Sequence, residues 1–95
     1  MAKYVVLSKL TDEGRKTLKA KPERVKEVND EIANMGAEVL HQFALLGSYD
    51  FLTILEAKDD VAIAKVMVEL GSRGTLETTT LPAIQVDEFL SKLKE

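Results

Sequence analysis

His41 is the only histidine in the chain, and it lies in one of two neighbouring runs that also carry the acids able to use it. A histidine beside a carboxylate can take and return a proton near neutral pH. Asp50 and Glu56 are the nearest downstream carboxylates, and Tyr49 adds a phenolic hydroxyl. These four, His41, Tyr49, Asp50 and Glu56, are the candidate ligand-binding residues, with His41 the candidate catalytic base. One histidine with no fixed ligand spacing does not make a metal site, and none is expected. The chain has no cysteine, which excludes disulfides, thiolate nucleophiles and cysteine-ligated zinc or iron–sulfur centres. Gly71-Ser72-Arg73-Gly74 follows a helix, whereas phosphate-cradling loops precede one. No nucleophile elbow, P-loop or dinucleotide fingerprint occurs, so no cofactor is expected.

Positioning these residues requires a hairpin. Ala37–Leu46 and Tyr49–Ala57 read as strands, and Gly47-Ser48 between them fits a two-residue II′ turn with glycine at positive φ. That turn puts Leu46 opposite Tyr49, Leu45 opposite Asp50, His41 opposite Ile54 and Leu40 opposite Leu55. Glu56 is then a diagonal neighbour of His41 at roughly 7–8 Å, and Asp50 is two pairs away, out of direct contact. One hairpin face holds Val39, His41, Phe43 and Leu45 with Asp50, Leu52, Ile54 and Glu56. The other holds Leu40, Gln42, Ala44 and Leu46 with Tyr49, Phe51, Thr53 and Leu55. The face with Leu40, Ala44, Phe51 and Leu55 is expected to meet the helices.

Around the hairpin, Tyr4–Ser8 reads as a strand ending near Lys9. Thr11 before Asp12-Glu13 suits a helix cap. Pro22 suits the first turn of a second helix, whose Val25, Val28, Ile32 and Met35 form one stripe before Gly36 stops it. A helix from Asp59 or Asp60 to about Gly71 carries Ile63, Val66, Met67 and Leu70 on one face. Thr75–Leu81 reads as the last strand, ended by Pro82. In it Thr78, Thr79 and Thr80 alternate faces, and strand propensity suffices to explain them. Val86–Lys94, with Phe89, Leu90 and Leu93, reads as a short terminal helix. The order β-α-β-β-α-β is that of an α+β ferredoxin-like two-layer sandwich with a four-stranded antiparallel sheet, expected to be a single domain over residues 1–95.

Such a sandwich covers one sheet face with helices, yet both hairpin faces are substantially apolar. A second sheet packed on the open face would cover it, so a homodimer or higher homo-oligomer of the dimeric α/β-barrel kind is expected. Hydrophobic residues make up 45% and charged residues 31% of the chain, as in folded globular proteins. The net charge of −3 gives no footprint for nucleic acid. No apolar run approaches the ~20 residues of a membrane span, so a cytoplasmic protein without membrane contact is expected.

Leu46-Gly47-Ser48-Tyr49-Asp50, continuing through Glu56-Ala57 to Asp59-Asp60, resembles the signature of the GYD-domain family. Pro22-Glu23-Arg24-Val25, Met35-Gly36, Leu70-Gly71-Ser72-Arg73-Gly74 and Thr78-Thr79-Thr80-Leu81 match the same pattern, so the resemblance spans nearly the whole chain. It implies a ferredoxin-like fold related to dimeric α/β barrels and Lrp/AsnC-type effector domains, and little about activity. The leading expectation is a homodimeric binding module holding a small molecule or partner protein at its sheet interface. The alternatives are a cofactor-independent oxygenase or isomerase based on His41, and a purely structural assembly protein.

Overall fold

In a computed structural model describing residues 1–95, strand β1 (Ala2–Leu10) leads into helices α1 (Asp12–Ala20) and α2 (Arg24–Asn34). Strands β2 (Ala37–Ala44) and β3 (Phe51–Ala57), helix α3 (Asp60–Ser72), strand β4 (Leu76–Ala83) and helix α4 (Val86–Leu93) follow. The strands form one antiparallel sheet in the order β2-β3-β1-β4. This is the expected α+β ferredoxin-like sandwich, with the first crossover divided into two helices and a helix added at the end. Pro22 lies in the turn between α1 and α2, two residues before α2 begins.

Alternation along β1 explains the layering. Tyr4, Val6 and Ser8 are buried beneath the helices, while Val5 and Leu7 point to the other side. The core adds Ile32 from α2, Leu55 and Ala57 from β3, and Ile63, Val66 and Leu70 from α3. The helical stripes read from spacing therefore face the sheet. Asp59 caps α3 by accepting from the Ala62 amide at 2.9 Å, and Thr11 caps α1 by accepting from the Gly14 amide at 3.1 Å.

The hairpin differs from expectation in two ways. The Leu45 amide donates to the Asp50 carbonyl at 2.8 Å, so Leu46–Tyr49 form a four-residue loop in place of a two-residue II′ turn. Gly47 still has a positive φ of 118°, and the pairings from Ala44–Phe51 to His41–Ile54 hold. Beyond His41 a bulge at Leu40 shifts the register, so that Val39, not Leu40, opposes Leu55 and packs on the core. An extra residue in one strand reverses the faces of everything beyond it, and a period-2 count cannot see it. The helices do cover the side of Phe51 and Leu55. β4 also runs on through Pro82 to Ala83; on an edge strand the missing N–H of proline is tolerated.

Two contacts tie the layers together. The Thr11 amide and hydroxyl donate to the carbonyls of Thr75 and Gly74 at 3.1 and 2.8 Å, bringing α1 so close that a Cβ on Gly14 would overlap the Thr75 carbonyl oxygen. Gly14→Ala is expected to lower stability by about 1–3 kcal/mol. Gly71→Ala, at a helical position with open space around it, is expected to be neutral or stabilising by up to ~1 kcal/mol. Urea unfolding midpoints would compare the two.

The Tyr4 hydroxyl donates to Asp60 Oδ1 at 2.6 Å. That hydrogen bond, with burial and the charges of Asp60 and Asp59, pushes the Tyr4 phenol up to about 12. The folded chain therefore keeps this proton over a range where the unfolded chain, titrating near ~10, has lost it. The stability it supplies is complete below pH ~10 and is lost as pH rises from there toward 12. Thermal unfolding followed across that range should show the decline, and Tyr4→Phe should flatten it.

Candidate functional site

All of the core-forming helical residues lie on the Tyr4–Leu55 side of the sheet, which leaves the opposite face without a second layer. Val5 and Leu7 from β1, Leu52 and Ile54 from β3, Phe43 from β2 and Leu81 from β4 line it. Phe43 and Leu81 are 55% and 47% exposed, high values for large apolar side chains in regular strands. Polar groups close the two ends. At one, Lys3 pairs with Glu56 at 3.1 Å, and Glu38 is the strand partner of Glu56. At the other, Lys9 is the strand partner of Glu77. An apolar centre with a charged margin is the anatomy of a protein-binding patch.

A second apolar strip adjoins the sheet in the chain. Helix α4 has no buried residue, and Ile84, Val86, Phe89, Leu90 and Leu93 are each about half exposed or more. The molecule is accordingly long for its size, 52 × 29 × 19 Å, because a helix with such a stripe would ordinarily fold against its own core.

The four residues singled out from the sequence do not converge. His41 is exposed opposite Ile54 on the open face, while Glu56 is engaged by Lys3. Asp50 is a connector: its carboxylate accepts from the Leu10 amide at 2.7 Å, its own amide donates to the Ser8 carbonyl at 2.8 Å, and Arg15 approaches at 4.0 Å. Tyr49 borders a shallow polar groove with Lys9, Ser48, Glu77 and Thr79 at the far end of the sheet. Gly47 and Ser48 stand in the exposed loop. What sequence reasoning missed is the contribution of β1 and β4. Tyr4-Val5-Val6-Leu7 is apolar at every position, so its two faces do not separate by polarity, and the hairpin alone carried the inference.

A family model described as the GYD domain matches residues 4–93. The chain belongs to the GYD-domain family. It is 46% identical over 95 residues to a protein of Thermus thermophilus, an alignment covering 99% of this chain and 100% of the relative. That relative is named a glutamine synthetase and cystathionine beta-lyase binding protein. Among solved structures, TTHA0845 from Thermus thermophilus superposes with a TM-score of 0.57 at 23% identity, over 90% of this chain and 95% of that one. FFRP-DM1 gives 0.59 at 22% identity, over 88% and 100%. MtbAldR gives 0.68 at 16% identity, over 88% of this chain and 52% of that one. These likenesses establish a shared ferredoxin-like fold. No helix is long and apolar enough to cross a membrane.

Proposed function

We propose that this member of the GYD-domain family is a homodimeric protein-binding module that attaches to enzymes and performs no chemistry of its own. The observation that carries the reading is the apolar sheet face, from Phe43 across Leu52, Ile54, Val5 and Leu7 to Leu81, left bare by helices confined to the other side. Four strands at ~4.8 Å spacing, each seven to nine residues at ~3.3 Å, give a projected face of about 500 Å². Together with the free side of α4, that is commensurate with the ~800 Å² per partner of a stable interface. Burying it against a second copy removes apolar surface from water at roughly 25 cal/mol per Å². The charged ends, Lys3–Glu56 and Lys9–Glu77, would set the register of the two sheets.

With the open faces occupied by each other, the helical outer surfaces and the polar loop ends are left for client proteins. The name of the relative that is 46% identical supports clients that are enzymes of the glutamine synthetase and cystathionine beta-lyase type. His41, on the open face, then serves the interface and not proton transfer.

Sedimentation equilibrium tests the assembly. The wild-type chain is expected to be a dimer, and Phe43→Arg or Leu81→Arg to weaken it about 30-fold or more, the equivalent of ~2 kcal/mol at a central interface position, with an unchanged circular dichroism spectrum. A monomeric wild type would sink the interface. Biolayer interferometry against the glutamine synthetase and cystathionine beta-lyase of the same organism tests the clients separately, and no binding to either would remove the enzyme-binding reading.

A further inference from the structure

On the helical side of the sheet, inside one chain, lies a cavity of about 380 Å³ roofed by α1, α2 and α3. A cavity of ~150 Å³ already takes a benzene ring, and ligand pockets begin near ~300 Å³. Its walls are apolar: Val6, Val28, Leu55, Met67 and Leu70 among them. The floor carries a short line of neutral polar groups. Asn29 Nδ2 donates to Gln42 Oε1 at 2.8 Å, and Gln42 Nε2 donates to Thr53 Oγ1 at 3.1 Å. Ser8, diagonal to Thr53 in the β1–β3 register and directly opposite Thr78 in the β1–β4 register, is only 7% exposed and lines the same cavity as both threonines. No buried side-chain polar atom lacks a partner, so its hydroxyl is accessible from the cavity and not sealed off.

Sheet floors beneath helices are ordinarily apolar, because a buried hydroxyl without a partner is costly. Here Ser8, Thr53 and Thr78 bring three hydroxyls to one floor, with Thr53 accepting from the amide chain and Ser8 between the two threonines, free to bond a molecule in the cavity. No charged group lies deep in the cavity. The two arginines at its edge, Arg24 and Arg73, are both paired to Glu31. The hydrogen bond from Arg24 first, and that from Arg73 second, hold the Glu31 carboxyl below its ordinary range. With its rim cations already satisfied, the cavity offers nothing to an ionic ligand and would desolvate one at a cost.

The geometry points to a binding site for a small uncharged molecule with a one- or two-ring apolar body lying against the walls and a single hydroxyl bonded to Ser8 on the hydroxyl-bearing floor. Entry is beneath α1, the least embedded wall. That helix buries only Gly14, is fastened at its start through Thr11, and presents Thr17 and Leu18 to the cavity. The site lies wholly within one chain, so it holds whether or not the sheet face forms a dimer.

Two probes of nearly equal size separate the elements of the proposal: 4-methylphenol, with a hydroxyl, and toluene, without one. In methyl-resolved NMR of the full chain, both are expected at millimolar concentration to shift the methyls of Val28, Leu55 and Met67 and to leave Leu7, Ile54 and Leu81 unmoved. Ser8→Ala should weaken 4-methylphenol about threefold to tenfold, the range of one hydrogen bond, and leave toluene binding unchanged. Thr53→Val provides a second variant should the first fail to fold, with the open-face methyl signals reporting an intact sheet. The proposal is overturned if neither probe moves the cavity methyls, if shifts appear on the open face instead, or if the hydroxyl variants weaken both probes equally.

Discussion

The structure depends on a central strand that is apolar on both sides. β1 sits between β3 and β4, and its Tyr4, Val6 and Ser8 anchor the helical layer while Val5 and Leu7 have nothing above them. One layer of helices cannot satisfy two such faces. The division of labour in the molecule follows from that imbalance. The covered side holds the core and the cavity, and the uncovered side is an apolar surface bounded by charged residues.

The covered side is itself unevenly filled. α2 and α3 place Ile32, Ile63, Val66 and Leu70 in the core, whereas α1 contributes a single close approach at Gly14 and is held by its first turn to the chain before β4. Dense packing toward the Tyr4 end and an open volume toward Ser8 are two ends of one sheet. Tyr4 ends in a hydrogen bond to Asp60, and Ser8 ends in the cavity. A 95-residue chain has little core to spare, so an unfilled volume lined partly by hydroxyls is costly for a structural role alone.

Much of this was legible in the residues. Helical spacing located α2 and α3 and the faces they bury, because a stripe repeating every three or four residues has one physical meaning. Gly47 marked the hairpin and its positive φ. Asp50, whose residue type is disfavoured in strands, stands in the structure just before β3 and holds the backbone amide of Leu10. The bulge at Leu40 was not legible, since nothing in Val39-Leu40-His41 distinguishes an extra residue from a regular one. Nor was the cavity. Ser8, Gln42 and Thr53 are ordinary strand residues one at a time, and only the folded register of β1, β2 and β3 brings them to one floor. The detachment of α4 was equally hidden, because Phe89, Leu90 and Leu93 have the spacing of a helix that packs on its own domain.

The same bulge bears on how the protein behaves when crowded. The sheet has two free borders, β2 and β4, each a row of backbone groups able to recruit a further strand and so to start an unending ribbon. Leu40 kinks one border out of register, and Glu38 charges it. Pro82 deletes a donor from the other. These features disfavour lateral growth at both margins, whereas stacking through the apolar face is left open. Face-to-face stacking of two copies is finite, since each copy has one such face and uses it in the act. A small, exposed, apolar sheet can in this way associate without polymerising.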